Sequence, residues 1–140
     1  PEAGYSAGRR SRAWLKLKNV AHQSAIVVGW RPGDGNRSGT IGSLLLAVND
    51  GDRLSYIGRV GSGFTDRGLS EALEVLRPLA QATPPLGGVP RPEARGANWV
   101  EPVLVGEVSY AEWTSSGTMR HPVWRGWRPD ADPSEVVREG

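Results

Sequence analysis

A chain of 140 residues with a formal charge of only +2 is long enough for one domain with a buried core. It has no cysteine, which excludes a disulfide framework and a cysteine-ligated metal site and suits a cytoplasmic protein. Its apolar runs are too short to span a bilayer and no signal peptide stands at the front; the opening on Pro1 reads as that of a domain excised from a longer protein.

The charge is unevenly spread. Residues 1–21 carry Arg9, Arg10, Arg12, Lys16 and Lys18 against Glu2 alone, whereas Asp130, Asp132, Glu135 and Glu139 near the end face only Arg138. A basic arm favours an anionic partner, although a solvated tail is the plainer reading of the arm by itself. Residues 1–12 lack apolar periodicity and read as a flexible lead-in. From Ala13 to Lys18 polar and apolar residues alternate as in a half-buried strand. Lys16 and Lys18, the only lysines beside fifteen arginines, then share one face. Such a pair can grip a phosphate as two point charges, though for the pair alone a solvated strand is the plainer reading.

Ala25–Trp30 is predicted as the next strand, ending in the turn formers of Arg31–Asn36. Gly42–Val48 is apolar on both faces and reads as a central strand. Asn49-Asp50-Gly51-Asp52 is a hairpin signal, with Leu54–Val60 as its partner strand. After Gly61-Ser62-Gly63-Phe64, the spacing of Leu69, Ala72, Leu73, Leu76, Leu79 and Ala80 predicts a helix. Thr65 or Asp66 caps its start, and Pro78 ends or kinks it near Leu76. Thr83–Asn98, rich in proline and glycine, reads as a long surface loop. Val103–Tyr110 and His121–Trp127 complete the strands. The result is an all-β chain with one helix: a five-stranded Greek-key OB barrel, helix between strands 3 and 4, after an extra strand at the front. An SH3-like barrel is the structural alternative; its strands are shorter and it does not need this helix.

No internal catalytic set is visible. His22 and His121 have no carboxylate spacing of a zinc site, and there is no nucleophile elbow, P-loop or dinucleotide fingerprint. Gly58–Gly63 is glycine-rich but lacks a P-loop lysine. The run Met119–Asp130 holds Arg120, Arg125 and Arg128 with Trp124 and Trp127. Arginine clamps phosphates in bidentate fashion, and tryptophan stacks on bases or packs in a core. Simple alternation puts Arg120, Trp124 and Arg128 on one face and His121, Val123, Arg125 and Trp127 on the other.

These residues resemble the C-terminal part of ATP-dependent DNA ligases, and most closely the actinobacterial ligase D proteins of non-homologous end joining. Trp14-Leu15-Lys16-Leu17-Lys18 looks like nucleotidyltransferase motif V. Val28–Gly33, Gly42–Leu46 and Gly58–Phe64 are similar to the OB domain that follows it, and Met119–Pro122 through Arg128-Pro129-Asp130 looks like motif VI. The likeness extends over nearly the whole chain, including Pro133–Glu139. Two departures stand out: the nucleophilic Lys-x-Asp-Gly is absent, and Ala131 occupies a position often held by lysine.

The resemblance implies a reaction in three steps. A lysine attacks the α-phosphate of ATP, the adenylate passes to a DNA 5′-phosphate, and a 3′-hydroxyl displaces AMP. It implies that residues 1–21 end an adenylation domain, that 22–130 form the OB domain, and that 131–140 are an acidic tail. Lys16, Lys18, Arg120, Arg128 and Asp130 would face the nucleotide phosphates. Arg31, Arg37, Arg59, Ser62, Gly63, Phe64 and Arg125 would face DNA after the domain swings as a lid. The catalytic lysine lies upstream, so this chain alone is expected to be inactive. Mg2+ or Mn2+ would be held mainly by the adenylation domain, with no metal site here. Implied partners are nicked or broken double-stranded DNA, the adenylation domain in cis, Ku, and polymerase and phosphoesterase domains of the parent protein; no membrane is implied, and the expected location is the bacterial cytoplasm, at the nucleoid. The competing readings are a stand-alone OB module binding single-stranded nucleic acid, a docking domain, and a GTP-using RNA-capping enzyme.

Overall fold

The computed structural model describes residues 21–33, 41–87 and 89–138. The expected strand at Ala13–Lys18, with Lys16 and Lys18, lies outside the described residues, as does Arg37.

Five antiparallel strands form one sheet. In chain order the first three are β1 (Ala21–Pro32), β2 (Ile41–Asp50) and β3 (Arg53–Val60). They are followed by a helix, α1 (Asp66–Leu76), and, much later, by β4 (Asn98–Tyr110) and the short β7 (Val123–Trp127). The spatial order is β3-β2-β1-β4-β7, the expected barrel with its helix between the third and fourth strands. β2 is central because Ser43–Val48 is buried without interruption, the pattern of a strand covered on both faces. Its hairpin to β3 pairs Asp50 with Arg53, and Gly51 takes φ +67°, which a primed turn demands.

Thr65 caps α1: its hydroxyl accepts from Gly68 N–H at 2.9 Å. Leu69, Ala72, Leu73 and Leu76 form the buried stripe. The helix stops at Leu76 and passes into a 3-10 turn at Arg77–Leu79, because Pro78 lacks the N–H and crowds the preceding turn. The segment read as a surface loop is more ordered than its composition implies. It contains a one-turn helix, α2 (Arg91–Ala94), started by Pro92, and it buries Leu86.

The last predicted strand is corrected. His121 adopts φ +55° and Pro122 has no donor, so pairing stops there. Residues before the break form a separate hairpin, β5 (Glu112–Trp113) with β6 (Met119–Arg120), and β7 starts only at Val123. β7 then joins the two edges of the sheet, as Trp124 N–H donates to Ser62 O at 2.8 Å. The approach is close enough that a Cβ on Gly63, at φ +96°, would sit 2.4 Å from Trp124 O.

Residues 133–138 lie against the barrel. Asn49 N–H donates to Val136 O at 2.8 Å, and its Nδ2 donates to Pro133 O at 2.7 Å and Val136 O at 2.9 Å. Gln23, itself buried, gives Nε2 to Val137 O at 2.8 Å. Val136 is buried, and the Arg138 guanidinium sits 4.8 Å from the Trp113 ring, within cation–π range.

Candidate functional site

Arg128 is the centre of a polar cluster. Its backbone is fixed first: Arg128 N–H donates to Val105 O at 2.7 Å. A β-bulge aims it. Val108 pairs with Trp124 and Glu107 with Gly126, so Arg125 is an extra residue, and Gly126 takes φ +141°. Bulges redirect side chains in this way. Gly126 also leaves the position beside Glu107 without a side chain, and the Arg128 guanidinium reaches across. Nη1 donates to Glu107 Oε1 at 2.8 Å and lies 3.4 Å from Ser24 Oγ. Nε and Nη2 meet Asp130 Oδ1 and Oδ2 at 3.4 and 3.5 Å. The second Glu107 oxygen lies 3.4 Å from His22 Nδ1.

Asp130, then Glu107, hold the Arg128 pKa above its already high ordinary value. Reciprocally, the hydrogen bond from Arg128 holds the Asp130 carboxyl below the usual carboxylate range. Asp130 meets two guanidinium nitrogens, whereas Glu107 makes the single shorter bond. Beyond Arg128 opens a hollow of about 340 Å3 lined also by Ser24, Asp130, Ala131, Asp132 and Glu135.

Arg120 is not part of this cluster. It pairs with Glu112 at 3.0 Å in the separate hairpin. Its carbonyl accepts from Ala111, whereas Arg128 is anchored at Val105, roughly 20 Å along β4 at about 3.3 Å per residue. The expected sharing of one face by Arg120, Trp124 and Arg128 fails for two reasons: the break at His121 and the bulge at Arg125. The bulge also brings Trp124 and Trp127 together, with ring centroids 4.9 Å apart at 78°, where alternation separates them. Phe64 stacks on Trp124 at 5.3 Å and 15°, so both rings belong to the packed end of the barrel. Arg125 is exposed.

A second hollow, of about 670 Å3, gathers Arg31, Arg59 and Ser62 with Gly33, Gly42, Ser43 and Gly61. Arg31 donates through Nη1 to Pro92 O, which ties β1 to α2. Arg59 is exposed on β3. Of the residues expected to face DNA, these three come together, while Gly63 and Phe64 turn toward Trp124. Among the described residues no group of three or more His, Asp or Glu side chains is placed to hold a metal ion. Nor is any helix of the described residues long and apolar enough to cross a membrane.

The sequence reading missed Glu107, Ser24 and His22. The signal was present: Glu107 is the one carboxylate in the otherwise apolar stretch Val103–Val108. Its partner Arg128 lies just past the end of β7, beyond the reach of local spacing.

Residues 37–131 match the family described as ATP dependent DNA ligase C terminal region. The chain is 45% identical over 139 residues to the multifunctional non-homologous end joining protein LigD of Mycolicibacterium smegmatis, covering 99% of this chain and 18% of the relative. It is 42% identical over 135 residues to LigD of Pseudomonas aeruginosa, covering 94% and 16%. It thus spans less than a fifth of the length of these relatives. Among solved structures, the ligase domain of M. tuberculosis LigD superposes with a TM-score of 0.82 at 43% identity, over 86% of this chain and 39% of that one. Mycobacterial DNA ligase D complexed with ATP and MES gives 0.75 at 42% identity, over 85% and 38%.

Proposed function

The chain belongs to the family of ATP-dependent DNA ligase C-terminal regions, and from that membership we propose that it is the OB domain of a longer end-joining ligase. It closes over ATP while an upstream lysine is adenylated, then turns another surface to DNA for sealing. In this reading residues 1–21 finish the adenylation domain, with Lys16 and Lys18 on the α-phosphate. Residues 22–130 are the OB domain and 131–140 its acidic tail. The adenylation domain supplies the nucleophile and most of the Mg2+ or Mn2+ ligation. Nicked or broken duplex DNA is the substrate, and Ku with the polymerase and phosphoesterase domains of the parent are its partners.

The observation that carries this reading is the placement of Arg128: a guanidinium fixed by its backbone and by Glu107, beside an open hollow, within the segment that looks like motif VI. Charge develops on phosphoryl oxygens as pyrophosphate leaves, and a pre-oriented guanidinium stabilises it without reorganising. Asp130 acts there through Arg128, since a carboxylate repels a phosphate. Arg120, engaged by Glu112, meets the nucleotide only if that pair opens. Arg31, Arg59 and Ser62 offer a basic and polar hollow on a different surface, and Arg125 an exposed cation. In the full-length enzyme, Arg128→Ala is expected to slow formation of the lysyl-adenylate from ATP by about 100- to 1,000-fold, leaving a measurable rate. Adenylation at the normal rate refutes the assignment. Arg59→Ala is expected to weaken nicked-duplex binding with a shallower salt dependence.

A further inference from the structure

We propose that Glu107 is a positioning residue for lysine adenylation, acting through Arg128; this rests on the reading of Arg128 given above. The guanidinium has two differently held edges. Nη1 is bound to Glu107 at 2.8 Å, with Ser24 Oγ at 3.4 Å, and both partners come from paired positions of the sheet, Ser24 on β1 opposite Glu107 on β4. Glu107 is only 31% exposed, and its other oxygen lies 3.4 Å from His22 Nδ1. The opposite edge, Nε with Nη2, meets only Asp130 among the described residues. Those contacts are 3.4 and 3.5 Å long, to a carboxylate that is 73% exposed and two residues away along a turn.

The two carboxylates therefore have different roles. Asp130 can swing into solvent at little cost, exposing a bidentate edge that matches the geometry of two phosphate oxygens. Glu107 cannot leave without giving up a shorter bond and a sheet-fixed position. It keeps the planar group oriented while the Nε–Nη2 edge is exchanged from carboxylate to phosphate. Without it, Arg128 keeps its charge but gains freedom about its long side chain, and misplacement of a charge-stabilising group by about 1 Å costs up to roughly 100-fold in rate. The role is orientation; Glu107 touches neither nucleotide nor lysine.

The test uses the full-length enzyme and two assays: formation of the lysyl-adenylate from labelled ATP, and sealing of a pre-adenylated nick, which needs no ATP. Glu107→Ala is expected to slow adenylation by about 10- to 100-fold and to leave sealing of the pre-adenylated nick within about twofold. Glu107→Gln, which keeps the shape and one acceptor, is expected to recover part of the loss. Combined with Arg128→Ala, Glu107→Ala is expected to add nothing further, because both act through one guanidinium. Normal adenylation by Glu107→Ala beside a slow Arg128→Ala overturns this inference alone, as does an equal loss in both assays or a multiplicative double variant. Normal adenylation by Arg128→Ala overturns the reading of the site, and this inference with it.

Discussion

Gly106→Ala is the sharpest test of how the barrel end is packed. A Cβ added at Gly106 would stand 2.0 Å from Trp124 Cη2, 2.4 Å from Cζ3 and 3.0 Å from Cζ2, whereas carbon atoms pack at about 3.5–4.0 Å. The indole has nowhere to retreat. Phe64 stacks on it at 5.3 Å, Trp127 meets it edge-on at 4.9 Å, and its backbone is tied to Ser62. Overpacking of this kind costs about 1–3 kcal/mol, less the roughly 0.5–1 kcal/mol that alanine gains over glycine within a strand. A net loss of about 1 kcal/mol is expected, an appreciable share of a domain stability of about 5–15 kcal/mol. Trp124→Ala removes the obstacle at a cost of about 3–5 kcal/mol. In that background Gly106→Ala should be neutral or slightly stabilising. The assay is urea unfolding followed by far-UV circular dichroism, since the substitution removes a fluorophore; Trp124→Leu provides a second background if Trp124→Ala does not fold. An equal cost of Gly106→Ala in both backgrounds, or a cost below about 0.5 kcal/mol in the parent chain, refutes the reasoning, because the two residues are then not coupled.

Three further outcomes follow from described contacts. Gly63→Ala combines φ +96° with a Cβ 2.4 Å from Trp124 O; it should cost more than about 2 kcal/mol and speed hydrogen exchange at the Trp124 amide. Asn49→Ala removes two side-chain bonds to Pro133 and Val136 carbonyls, for about 2 kcal/mol, and the Asn49 amide, bonded to Val136 O, should lose exchange protection first. Hydrogen bonds from Arg128 and from Ser134 hold Asp130 and Asp132 respectively below the usual carboxylate range. A folded pKa below the unfolded one gives stability that is complete above the ordinary carboxylate pKa of about 3.9 and is lost as pH falls through the folded value. Acid unfolding should therefore be less steep in Asp132→Asn, and an unchanged slope in that variant counts against the capping bond.

The sequence was most legible where structure is local. The buried run of β2, the Gly51 turn, the Thr65 cap and the stop before Pro78 each depend on a few adjacent residues, and spacing located them. The motif segment from Met119 to Asp130 was legible in composition but not in geometry. One extra residue at Arg125 inverts every side chain after it, and nothing local distinguishes a bulged strand from a regular one. His121 at positive φ was equally silent. Glu107 stood out as a lone carboxylate, yet its pairing with Arg128 exists only once β4 and β7 lie side by side.

The attachment of residues 133–137 has an evolutionary corollary. Gln23 and Asn49 recognise them by main-chain carbonyls, and every amino acid supplies that group equally. Only Val136 enters with a buried side chain. The grip is thus written into the barrel and is nearly blind to the lettering of the segment it holds. Ser134, Glu135 and Val137 can drift in homologous chains while the docking persists, whereas Gln23, Asn49 and the slot for Val136 should change slowly and together.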